Sequence, residues 1–86
     1  MPVVSRFFGI LIAFYWQDHL PPHFHAKYTG DEAVIDIRTG TVIRGSISRR
    51  ALSLVEEWRD AHVKELLDNW ERARKRQPLA YIAPLE

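Results

Sequence analysis

The chain has 86 residues, 47% of them apolar and 27% charged, with no cysteine, a profile that predicts one small soluble domain. The missing thiols exclude disulfide frameworks, thiolate zinc sites and cysteine nucleophiles, leaving four histidines to carry any metal or acid/base chemistry near neutral pH. A net charge of +1 gives no whole-molecule pull toward nucleic acid or an anionic membrane, so only a local patch could supply one. Val3 to Phe8 and Ile10 to Trp16 are rich in β-branched and aromatic residues and predict two strands that turn at Gly9. The apolar stretch from Phe7 to Trp16 is too short to span a bilayer and is followed by no small-residue cleavage site, so the expectation is a cytoplasmic protein without a membrane partner.

Gln17 to Pro22 breaks regular structure, because Pro21 and Pro22 remove two backbone donors and restrict the residue before them. His23 to Arg38 then alternates with period two on both sides of Gly30-Asp31, read here as a two-residue hairpin turn. That register puts His25 opposite Asp36, His23 opposite Arg38 and Lys27 opposite Val34. It separates an apolar face, Phe24, Ala26, Tyr28, Ala33, Ile35 and Ile37, from a polar one bearing the histidines. Thr39-Gly40 leads into a last strand, Thr41 to Arg44.

From Ser48, a suitable N-cap, the period becomes helical. Ala51, Leu54, Val55, Trp58, Ala61, His62, Leu66, Trp70 and Ala73 recur at three- and four-residue steps until Gln77-Pro78 ends the pattern near Arg76. One long helix is expected, with a break near Asp60 to Val63 as the alternative. The tail from Leu79 to Glu86 carries apolar residues that dock back on the sheet or helix. The fold class is α+β in one domain: an antiparallel sheet of four or five strands (residues 1–46), a covering helix (47–77) and a tail (78–86). Trp58 and Trp70 are read as core, and His62 as a hydrogen-bonded boundary residue. The basic run Arg72, Arg74, Lys75 and Arg76 complements the helix dipole.

His23-Phe24-His25 is the sharpest chemical signal, because strand geometry points both imidazoles to one face while Phe24 enters the core. The preferred reading uses no metal and no cofactor. His23 and His25 form an acid/base pair, Asp36 orients His25, His19 can replace either imidazole, and Arg6, Lys27, Arg38 and Arg44 hold phosphate. RNA is the candidate substrate. The same residues admit a metal site with Asp36 or His19 as third ligand, or a docking surface that binds a partner without catalysis. An exposed strand edge and a long helix both permit a homodimer.

Ser5-Arg6-Phe7-Phe8-Gly9-Ile10, Asp18-His19-Leu20-Pro21-Pro22-His23-Phe24-His25-Ala26 and Glu32-Ala33-Val34-Ile35-Asp36-Ile37 resemble a small bacterial family, domain of unknown function 4160. The likeness continues through Arg49-Arg50-Ala51-Leu52, Glu57-Trp58, His62, Glu65-Leu66 and Asn69-Trp70, and so covers essentially the whole chain. The resemblance implies a toxin-like role beside a small cognate protein encoded next to it. It supplies no reaction.

Overall fold

The computed structural model describes residues 2–86. Five antiparallel strands follow chain order across one sheet: β1 (Val3–Phe7), β2 (Ile10–Ala13), β3 (His23–Tyr28), β4 (Asp31–Asp36) and β5 (Val42–Gly45). A single helix, α1 (Arg49–Arg74), covers one face. The α+β expectation, with its antiparallel sheet and long C-terminal helix, therefore holds. The second strand stops at Ala13 rather than Trp16, because Phe14 to Pro22 leaves the sheet as a loop.

The β3–β4 turn is Thr29-Gly30 and not Gly30-Asp31. Both residues take positive φ, 47° and 86°, the backbone that a tight primed turn demands, and glycine belongs at its second position. Every pair in the hairpin therefore shifts by two residues. His23 faces Asp36, His25 faces Val34 and Lys27 faces Glu32. A two-residue shift leaves each side chain on its face, so the apolar and polar sets survive while the partners change.

The apolar face carries Val4, Ile10, Ile12, Phe24, Ala26, Ala33, Ile35 and Ile37, and α1 lays Ala51, Val55, Trp58, Leu66 and Trp70 over it. Trp58 is fully buried against Phe7 and Phe24, with ring centroids at 5.2 and 6.0 Å. Ser48 Oγ accepts from the Ala51 N–H and caps the helix. The backbone departs from helical values at His62 (φ −132°, ψ 23°), so the element is one helix with a kink inside the stretch where a break was the alternative. Ala61 falls outside the buried stripe as a result. The tail docks through Ile82, whose N–H donates to Val4 O, and through Trp58 Nε1 donating to Ala83 O. Tyr81 stays exposed.

Candidate functional site

The polar face is not open to solvent at its centre. The loop after β2 folds back over it, tied to the far end of α1 by Gln17: its N–H donates to Ala73 O at 3.3 Å, and its Oε1 accepts from Arg76 at 2.7 and 3.0 Å. The loop brings Asp18 over the histidine pair. His23 and His25 are only 6% and 3% exposed. Tyr15 packs edge-on against His25 at 4.2 Å between centroids, and Trp70 lies 5.1 Å from His23.

Within this enclosure every imidazole nitrogen meets an acceptor. His23 Nδ1 donates to Pro21 O at 2.7 Å and His25 Nδ1 donates to Glu32 Oε2 at 2.6 Å. Both Nε2 atoms then converge on one carboxylate oxygen, Asp18 Oδ2, at 2.9 and 3.2 Å. Burial raises the Asp18 pKa, but the His19 N–H and the two neighbouring imidazoles together outweigh it and hold the carboxyl down at about 2. Lys27 stands over the Tyr15 ring at 5.5 Å from its centroid. Its ammonium is pulled above the usual lysine value first by a hydrogen bond to Tyr15 and further by Glu32, against a smaller burial penalty.

A pocket of about 130 Å³ opens onto this cluster, lined by Asp18, His19, Leu20, Pro21, His23, Val34, Ile43 and Arg44. Arg44 lies across Val34 from His25 in one row of the ladder, and its guanidinium has no partner among the described residues. Of the four expected phosphate-binding cations, only Arg44 lines the pocket. Arg6 sits on the outer face of β1 opposite Leu11, and Arg38 belongs to the β4–β5 turn. Asp36 is committed to that turn, where its carboxylate accepts from the Arg38 and Thr39 N–H groups at 2.8 and 3.0 Å, and it does not orient His25. His19 is exposed and reaches Asp18 through its backbone alone.

Two carboxylates beside the histidines escaped the sequence reading. Asp18 lies in an irregular loop with no periodicity to place it, and its only signal was its nearness to the Pro21-Pro22-His23 segment. Glu32 would have emerged from the Thr29-Gly30 turn, which sets it beside the His25 row. The basic run at the end of α1 is engaged within the protein: Arg72 pairs with Asp68 one turn away at 3.0 Å, and Arg76 clamps the distant Gln17.

The fold and site together define a small α+β domain with a buried histidine pair, capped by a partly exposed aspartate, under a narrow pocket. The chain belongs to the family described as Domain of unknown function (DUF4160), whose pattern matches residues 9–71, more than half of the chain and all three members of the cluster. Neither a curated protein nor a solved structure matches it. No helix among the described residues is long and apolar enough to cross a membrane.

Proposed function

We propose that the protein is the toxin-like member of a two-gene pair and cleaves phosphodiester bonds of RNA at the cluster of Asp18, His23 and His25. The observation that carries this reading is the placement of a buried histidine pair and its aspartate beneath a pocket whose wall holds Arg44, unpaired among the described residues. Burying such groups costs several kcal/mol per ion before pairing, and apolar residues would serve the fold at least as well, so their presence favours chemistry. Arg44 supplies a counter-charge for a phosphate. Pockets that enclose whole small molecules measure roughly 300–1,000 Å³. The smaller volume here suits one phosphate group, with the rest of a chain molecule lying outside. One imidazole of the pair takes the proton of the attacking water or sugar hydroxyl as its oxygen bonds to phosphorus, Arg44 balances charge as the phosphorus–oxygen bond of the leaving group breaks, and the proton passes on to the departing oxygen.

Incubating the purified chain with short labelled RNA, with and without added divalent cations, tests the reading. Wild type should cleave, and Arg44→Ala should lose about 10²-fold or more in rate. Intact RNA under every cation condition contradicts it. A non-catalytic interaction module is the second reading, favoured by β5, an edge strand that pairs only with β4 and carries exposed Ile43 beside exposed Leu20. On that reading RNA stays intact, and Ile43→Asp weakens binding of the protein encoded alongside.

A further inference from the structure

We infer that Asp18, His23 and His25 form a three-ligand site for a divalent transition-metal ion of the zinc class, oriented by Glu32 and the Pro21 carbonyl. The inference concerns the cluster assigned above but does not depend on its acting on RNA.

The argument rests on hydrogen-bond chemistry. A carbonyl oxygen can only accept, so the His23 Nδ1 atom carries its proton, and the carboxylate of Glu32 assigns the Nδ1 proton of His25 in the same way. A neutral imidazole has one N–H, so the Nε2 atom of each ring then presents a lone pair. Both lone pairs are aimed at the same anionic oxygen of Asp18, an arrangement that is repulsive unless a positive charge stands among the three atoms. A metal ion meets that requirement with both rings neutral.

The dimensions agree. The three ligand atoms lie within 4.8 Å of one another, and two of the separations are 2.9 and 3.2 Å. Zinc bonds of about 2.0–2.1 Å in a tetrahedron put ligand atoms roughly 3.3 Å apart. Metal-bound histidines almost always donate the other ring N–H to a carboxylate or a carbonyl, and Glu32 and Pro21 provide one of each. Three protein ligands leave a position for water or substrate, and Asp18 and His23 both line the pocket that would admit it. The protein carboxylate is thus Asp18, in place of the Asp36 or His19 expected from sequence.

The rival source of positive charge is a proton on each Nε2 atom, held in a purely structural ion-pair cluster that takes up no metal. Calorimetric titration of the metal-free, untagged full chain with zinc separates the two. Saturation at one zinc per chain is expected, with Asp18→Asn binding at least 10²-fold more weakly and Glu32→Gln 10- to 100-fold more weakly. His25→Gln should abolish binding; because its imidazole is buried, circular dichroism is recorded beside each titration, and Asp18→Asn, at a partly exposed position, decides the matter if His25→Gln fails to fold. No saturable binding by folded wild type, or equal binding by folded Asp18→Asn, overturns the inference. Zinc binding without RNA cleavage overturns only the function proposed above, whereas cleavage by a chain that binds no metal overturns only the metal site.

Discussion

At the scale of single residues, the chemistry depends on who faces whom across a few ångströms. Asp18 is the pivot, since one of its oxygens meets both imidazoles. Asp18→Asn keeps its shape and replaces a charge with an amide, so the folded protein should survive while RNA cleavage falls by about 10²-fold or more, read from initial rates. His19→Ala should lower the rate far less than Asp18→Asn does, because His19 lines the pocket but only its backbone N–H bonds Asp18. The alternation of β3 made the shared face of His23 and His25 legible in sequence, since strand geometry leaves no other choice. The carboxylates were not legible for two different reasons. Asp18 arrives from a loop whose path is set by a tertiary clamp on Gln17, and Glu32 depends on a turn position two residues from the one expected.

At the scale of elements, strand faces and helix signals carried most of the fold. Ser48 ahead of a helical period marked the start of α1, and Ser48→Ala should cost about 1 kcal/mol in denaturant unfolding by leaving the Ala51 N–H without its side-chain acceptor. The apolar face was legible because period-two patterning survives any even slip in register. The close approach at the end of β5 was invisible. Gly45 takes φ 73°, and a Cβ there would fall 2.2 Å from the carbonyl oxygen of Glu32. Gly45→Ala should therefore destabilise the chain by about 1–3 kcal/mol and disturb the backbone that presents Glu32 to His25. Chemical denaturation measures the first effect, and weakened zinc binding by the still-folded fraction measures the second. The kink at His62 arises where that residue bonds Glu65 at 2.5 Å and packs on Trp58 at 5.3 Å.

At the scale of the whole molecule, the site is assembled by parts distant in sequence. The outer face of the sheet supplies His23, His25 and Glu32, and the loop after β2 supplies Asp18. The end of α1 holds that loop down through Ala73 and Arg76. The terminal tail reinforces the same end of the helix, with Asn69 exchanging two hydrogen bonds of 2.8 Å with the Ala80 backbone. Arg76→Ala, at an exposed position, should change stability by less than about 0.5 kcal/mol. It should nonetheless lower zinc affinity by loosening the loop that carries Asp18, a combination that calorimetry and thermal unfolding read separately. The basic end of the helix, read from sequence as a complement to the dipole, thus also positions the site, a role that only the folded path of residues 14–22 exposes.

The most direct measurement is zinc-edge X-ray absorption on the full chain loaded with one equivalent of zinc. The account predicts a first shell of nitrogen and oxygen at about 2.0–2.1 Å, with the multiple scattering of two imidazoles, reduced to a different shell in Asp18→Asn. A chain that retains no zinc after gel filtration, or a wild-type spectrum with fewer than two imidazoles, would contradict it.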